Sequence, residues 1–238
     1  MFGDNPIRKV TYDPTKLALE EVFYTLQGEG PYAGRPALFI RLAGCNLACT
    51  FCDTEFETKA DKEPHWHQAL ERCMEFPKKQ REFVVLTGGE PLRQNATWLV
   101  EGLLGTGTKL VQIETAGTLW QPELAAHIRG NRVDLVCSPK TVRINPDIEQ
   151  HCQHFKYIIR AGEVDPVDGL PNMGTQRGNA GTEQNIYRPR NEMATVWLSP
   201  CDEYDPVKNK ANQDLARDLC LQHGYRLSLQ THKIVGVA

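Results

Sequence analysis

At 238 residues and a formal net charge of −3, the chain has room for one α/β domain with a sizeable core, and it lacks the basic excess that marks nucleic-acid binding. No apolar run approaches membrane-spanning length (the run 37–40 stops at Arg41), and the first residues show neither the basic stretch nor the apolar stretch of a secretory signal. Eight cysteines without such a signal suit a reducing compartment, so the composition predicts a cytoplasmic enzyme rather than a disulfide scaffold.

In chain order, short apolar and β-branched runs recur at 37–42, 83–86, 110–113, 133–136, 155–159, 195–198 and 225–229. Continuous runs of this length suit strands buried on both faces of a parallel sheet. Between them lie helical patterns. Trp66, Ala69, Leu70 and Cys73 share one helix face. A longer helix spans 205–224, with Asp205 as cap, Pro206 in the first turn, a stripe of Val207, Ala211, Leu215 and Leu219, and Gly224 as stop. Alternating strands and helices predict parallel βα units, with the site on loops after the strands. Seven strands fall short of a closed eight-stranded barrel, so the expected fold is α/β, a partial, open TIM-like barrel forming a single domain. Residues 161–191 break the rhythm with five glycines and three prolines, and read as a surface insertion, a lid or an interface arm. Cys73, Cys137, Cys152, Cys201 and Cys220 are scattered and read as ordinary buried residues.

The other three, Cys45, Cys49 and Cys52, are spaced C-x3-C-x2-C and are followed at once by Asp53 and Thr54. A [4Fe–4S] cluster normally takes four Cys thiolates. Three leave one iron open, and an open coordination position is where a metal site does chemistry. S-adenosylmethionine (SAM) chelates such an iron through its amino and carboxylate groups, so the spacing points to a radical SAM enzyme. Two plainer readings stand beside it: half a zinc knuckle completed by a distant ligand, and three thiols buried as small hydrophobes. At the end of a later run, Thr87, Gly88, Gly89, Glu90 and Pro91 place glycines where a backbone can approach a ligand closely, or where a tight strand-to-helix turn is needed. Arg41 sits inside an apolar run and must meet a carboxylate, the chain's own or a ligand's.

The segment from Phe23 to Thr54 contains Leu-Gln-Gly-Glu-Gly, Phe-Ile-Arg-Leu-x-Gly-Cys-Asn-Leu and Cys-Asp-Thr. Further on come Thr-Gly-Gly-Glu-Pro-Leu, Glu-Thr-x-Gly-Thr, Ser-Pro-Lys and the ending Leu-Ser-Leu-Gln-Thr-His-Lys. Across almost the whole chain these motifs resemble the 7-carboxy-7-deazaguanine synthase family of radical SAM enzymes. The resemblance implies conversion of 6-carboxy-5,6,7,8-tetrahydropterin to 7-carboxy-7-deazaguanine with loss of ammonia, on the route to queuosine. It implies a [4Fe–4S] cluster on Cys45, Cys49 and Cys52, and SAM along Phe51, Asp53, Gly89, Ser138, Pro139, Lys140, Ser199, Pro200, Cys201 and Asp202. Thr54 becomes the ligand of Mg²⁺, although Asp53 and Thr54 read alone would be a helix cap. For the pterin it implies Leu26, Gln27, Gly28, Glu29, Arg41, Thr87, His232 and the terminal carboxylate of Ala238, with the last strand returning to the site. Gln27 and Glu29 combine a donor with acceptors, which suits a pterin edge, while the bland reading is a surface turn. The chain departs from the family at Ala116, where Asn or Ser is frequent, and at Ser199–Pro200, where some members carry Gln-Pro. The family also implies an electron donor such as flavodoxin and a homodimer. A radical SAM activase of a partner protein, and a non-catalytic zinc or Fe–S module, are the alternatives.

Overall fold

The computed structural model describes residues 4–13, 15–57 and 65–237. Among these residues eight strands run β1 (Leu19–Leu26), β2 (Pro36–Leu42), β3 (Phe83–Gly88), β4 (Leu110–Thr115), β5 (Val133–Cys137), β6 (His154–Ile159), β7 (Thr195–Pro200) and β8 (Arg226–Leu227). They form one sheet in simple sequential order. β1 pairs antiparallel with β2, and every later pair is parallel. The sheet curls without closing, as an open barrel should.

Among the described residues six α-helices accompany it: α1 (Trp66–Met74), α2 (Thr97–Gly105), α3 (Leu124–Arg129), α4 (Pro146–His151), α5 (Pro206–His223) and α6 (Thr231–Val235). No described helix is long and apolar enough to cross a membrane. Alternation along each parallel strand divides the sheet into two faces. Leu38, Ile40 and Leu42, Val84 and Leu86, Val111 and Ile113, and Phe155, Tyr157 and Ile159 join one apolar core under the helices. The intervening positions carry Arg41, Thr87, Gln112, Glu114 and Lys156. The register sets Arg41 beside Thr87, and Leu86 beside Ile113, so Thr87 and Glu114 stand level on the concave side. The other face is mixed: Ala37, Phe83 and Val85 form a second buried apolar cluster there, and the polar residues stand toward the C-terminal ends of the strands.

Three expectations change. β1 was not anticipated, because Leu19–Leu26 mixes polar and apolar residues and is only half-buried, as an edge strand is. Leu26 is the last residue of this edge strand. The run 225–229 contracts to Arg226–Leu227, and His232 lies on α6 rather than on a returning strand. On α5 the caps are as expected, with Asp205 accepting from the Val207 and Lys208 amides and Gly224 left-handed at φ 73°. The stripe, however, is turned: Val207 is 80 % exposed, whereas Asn212, Ala216 and Leu219 are buried. Asn212 turns inward because it accepts from Ala161 N at 2.8 Å and donates to Cys201 O at 3.0 Å, fastening the helix to two loops.

Residues 161–191 pack in part against the main core. Leu170, Ile186 and Tyr187 are buried in the main core, and the Tyr157 hydroxyl donates to Tyr187 O at 2.6 Å. Cys73, Cys137, Cys152 and Cys201 are buried free thiols and Cys220 is half-buried. Burial pushes Cys73 and Cys152 up to about 12.

Candidate active site

The C-terminal ends of the parallel strands surround a cavity of about 310 Å³. Into it come Cys45, Cys49 and Cys52 with Phe51, Asp53 and Thr54 after β2, Thr87 and Gly89 from β3, and Ser138 and Lys140 after β5. Ser199, Pro200, Cys201 and Asp202 enter from β7, while Leu26, Gln27, Gly28, Glu29, Arg41 and His232 complete the wall. Pro139 instead lines a small cleft behind it with Arg160. Ala238 lies outside the described residues.

The cluster loop is held from both sides. Arg8 N donates to Cys45 O at 2.7 Å, and Glu90 N donates to Gly44 O at 3.1 Å. Gly89 lies so close to the loop that a Cβ there would stand 2.1 Å from Gly44 O and 3.0 Å from Cys45 Cβ. Glu90, buried beside it, accepts from Ala116 N at 2.7 Å, Thr115 Oγ1 at 2.8 Å and Leu92 N at 3.0 Å, tying the ends of β3 and β4 together. Its carboxylate thus has a structural task within the motif.

The three thiols suit a polynuclear iron group. Burial pushes Cys45 and Cys52 up, and the Glu90 carboxylate adds to this at Cys45, so neither thiolate is stable without a compensating cation. Each sulfur nonetheless has an N–H beside it: Leu47 N at 3.4 Å from Cys45, Gln176 Nε2 at 3.3 Å from Cys49, and Asn5 Nδ2 at 3.9 Å from Cys52. Among the described residues no three Cys, His, Asp or Glu side chains converge on a single ion. A cluster does not ask them to, because each thiolate takes its own iron.

Across the cavity the wall is polar. Buried Lys156 pairs with Glu29 and lies 4.0 Å from Glu114. Glu114 also accepts from Gln27 Nε2 and Gln112 Nε2, each at 3.0 Å. Gln27 Oε1 accepts from Glu29 N at 3.1 Å. Gly28 packs so tightly that a Cβ would meet His232 Nδ1 at 1.8 Å, and its carbonyl accepts from Thr231 N at 3.1 Å. Burial lowers the His232 pKa and keeps the ring neutral at neutral pH. Gly30 N donates to Ser228 Oγ at 2.8 Å, so the segment after β1 links the two edges of the open sheet.

Other expected contacts have partners within the chain. Arg41 Nε donates to Glu21 at 2.7 Å, an ion pair of the kind the sequence left open, and its guanidinium lies 5.5 Å from the Phe23 ring. Thr54 Oγ1 donates to Asp53 Oδ1 at 3.2 Å. Lys140 Nζ donates to Ser138 O at 3.0 Å, and burial lowers its pKa. Ser199 Oγ donates to Ser228 O at 2.9 Å, which turns its hydroxyl toward β8. The Lys233 ammonium 2.8 Å from Asp202 holds that carboxyl down at about 2. Sequence reasoning missed Lys156 and Gln176, and had Glu114 only as part of the Glu-Thr-x-Gly-Thr motif, with no role of its own. Lys156 carried the same signal as Arg41, one cation inside an apolar run, while Gln176 carried none.

The Radical SAM superfamily profile matches residues 39–149. A 7-carboxy-7-deazaguanine synthase of Rhodospirillum rubrum is 43 % identical over 248 aligned residues, with both chains covered completely. The chain belongs to the 7-carboxy-7-deazaguanine synthase family. The namesake from Rickettsia prowazekii is 38 % identical, covering 100 % of this chain and 96 % of its own. The crystal structure of QueE from Escherichia coli shares the fold at a TM-score of 0.57 and 21 % identity, covering 90 % of this chain and 93 % of that one. As a radical SAM lyase of this family, the protein uses a [4Fe–4S] cluster and SAM, and the donor set at the cavity fits them.

Proposed function

We propose that this 7-carboxy-7-deazaguanine synthase acts on 6-carboxy-5,6,7,8-tetrahydropterin in the cytoplasm, releasing ammonia and forming 7-carboxy-7-deazaguanine, a precursor of 7-cyano-7-deazaguanine and queuosine. The observation that carries the reading is that one cavity joins the three cluster thiols to an opposite wall of Gln27, Glu29, Glu114, Lys156 and His232. Bound together, the reduced cluster and SAM supply the abstraction of a hydrogen atom and its return. The chain's own residues bind and orient. Lys156 balances only one of the two carboxylates it faces, so the wall keeps an acceptor surplus suited to the N–H-rich edge of a pterin. Thr54 and Asp53 offer oxygen ligands at the mouth, where Mg²⁺ would be held near the substrate carboxylate. An electron donor such as flavodoxin and a homodimeric state belong to the same proposal.

The test uses chain left untagged at its C-terminus, reconstituted anaerobically with iron and sulfide, then given SAM, Mg²⁺, reductant and the carboxypterin. Formation of 7-carboxy-7-deazaguanine, with SAM not consumed in proportion, is expected. If 5′-deoxyadenosine accumulated without that product, the substrate would be wrong and an activase would be favoured.

Arg41 separates a structural from a substrate role. Its pair with Glu21 is half open to solvent on the Glu21 side, at 50 % exposure, so Glu21→Gln should change stability by less than about 1 kcal/mol. Arg41→Met should raise KM for the pterin by roughly tenfold or more, as loss of a charge-assisted hydrogen bond does. Initial rates on both variants check this, and an unchanged KM in Arg41→Met would leave Arg41 a purely structural residue.

A further inference from the structure

We propose that Gln176, within the stretch 161–191, is a positioning residue that raises the reduction potential of the [4Fe–4S] cluster through its amide hydrogen bond to Cys49 Sγ. The inference rests on the family's cluster being bound at the three cysteines.

A short piece of that stretch runs alongside the cluster loop as a second strand. Thr50 N donates to Thr175 O at 2.9 Å, Arg177 N donates to Ala48 O at 3.0 Å, and Cys49 and Gln176 face each other in an antiparallel bridge. The Gln176 side chain then folds back onto the same loop. Its Oε1 accepts from Ala48 N at 2.8 Å. A backbone N–H can only donate, so this bond fixes which end of the amide is oxygen and turns the NH₂ end toward Cys49 Sγ, 3.3 Å away. Thr175 Oγ1 at 2.7 Å accepts from the same NH₂ group.

The surroundings make this geometry hard to change. Gln176 N donates to Asn179 Oδ1 at 3.0 Å, and a Cβ on Gly174 would fall 2.2 Å from Asn179 O, so the turn is tightly closed. Arg177 Nη2 donates to Asn5 O at 2.7 Å, and Asn5 Nδ2 donates to Thr54 O at 3.1 Å, which fastens the far side of the loop.

Hydrogen bonds to cluster sulfurs are among the factors that set an iron–sulfur potential. Reduction adds negative charge that spreads onto the thiolate sulfurs, and an N–H dipole aimed at one of them favours the reduced state. The Leu47 amide gives Cys45 such a bond as part of the loop's own turn, and Asn5 is at the longer distance of 3.9 Å from Cys52. Gln176 is therefore the side chain through which this stretch acts on the cluster's electron affinity.

Wild type, Gln176→Glu and Gln176→Leu would be reconstituted anaerobically, iron counted, and the reduced cluster followed by electron paramagnetic resonance across a redox titration. The glutamate keeps an acceptor for Ala48 N but sets a carboxylate oxygen against the sulfur, and leucine removes both bonds at similar size. About four irons per chain are expected in all three. At the wild-type midpoint, the ratio of reduced to oxidised cluster in Gln176→Glu should fall about tenfold, which for one electron is about 59 mV. Gln176→Leu should fall between. Equal midpoints in loaded variants would overturn the proposal, and so would loss of iron from both, which would make the amide a structural clamp only. A wild-type chain that takes up no cluster would sink this inference and the family reading together, whereas equal midpoints sink this one alone.

Discussion

Gly89→Ala is expected to lower turnover by at least about a hundredfold while leaving a folded chain. The added methyl would lie 2.1 Å from Gly44 O and 2.5 Å from Gly44 C, which are backbone atoms and cannot swing aside. Gly44 has little room to retreat. It holds φ at 78°, its N–H is bonded to Phe56 O at 3.0 Å, and the Arg93 guanidinium packs against it from another side. The strain must then be relieved by moving the end of β3 away from the loop or by pushing Cys45 out of place. Overpacking of this kind costs about 1–3 kcal/mol in stability. The catalytic loss is larger, because a misplacement of about 1 Å at a reacting centre can cost a hundredfold in rate. Gly105, at the end of α2, has nothing within 4 Å of an added Cβ. Gly105→Ala is the control and should leave activity unchanged. Urea denaturation, iron content and initial rates measured on both variants decide the matter. Full activity in Gly89→Ala would show that the loop yields and that the glycine serves only the turn.

What was legible in the sequence is what is local or periodic. The parallel strands could be read because residues such as Val84 to Leu86 are apolar on consecutive positions and fully buried. The cluster loop could be read because three thiols within eight residues have no ordinary packing explanation. β1 escaped because an edge strand with one half-exposed face lacks that continuity. The turn of α5 escaped because the pattern counts apolar residues, whereas its buried face is organised around Asn212, a polar side chain with loop partners that no periodicity announces. Gln176 lay beyond reach for a related reason: it meets Ala48 across 128 positions of chain, from a stretch whose composition reads as loop. Motifs identified the rim of the cavity. The groups that complete it, Lys156 and Gln176, become visible only when β6 and the 161–191 stretch are brought beside the strands and loops they face.

Lys156→Met should destabilise the fold by about 3–5 kcal/mol and reverse the sign of its pH dependence near the carboxylate range. Removing one member of a buried ion pair leaves the other charge without compensation, which is the source of that magnitude. Both side chains are buried here, at 8 % exposure for Lys156 and 13 % for Glu29. Burial, the largest single influence, would raise the Glu29 pKa, but the charge and hydrogen bond of Lys156, with lesser help from His232 and Gln230, together outweigh it and hold the carboxyl below its ordinary value. A carboxyl depressed in the folded state contributes stability that is present above the unfolded pKa of about 4.3 and is lost as pH falls through the folded value. In Lys156→Met the burial meets only the lesser opposition of His232 and Gln230. The folded Glu29 pKa then lies above the unfolded one, and stability falls as pH rises from about 4.3 through the raised value. Mild acid should therefore weaken the wild type and relieve the variant. Adding Glu29→Gln to Lys156→Met should restore much of the loss and flatten the reversed slope, since Glu114 retains its bonds to Gln27 and Gln112. Urea titrations of iron-free chain between about pH 4 and 7 make the comparison without interference from the cluster. Parallel pH profiles for wild type and Lys156→Met would mean that Glu29 does not depend on Lys156 for its charge.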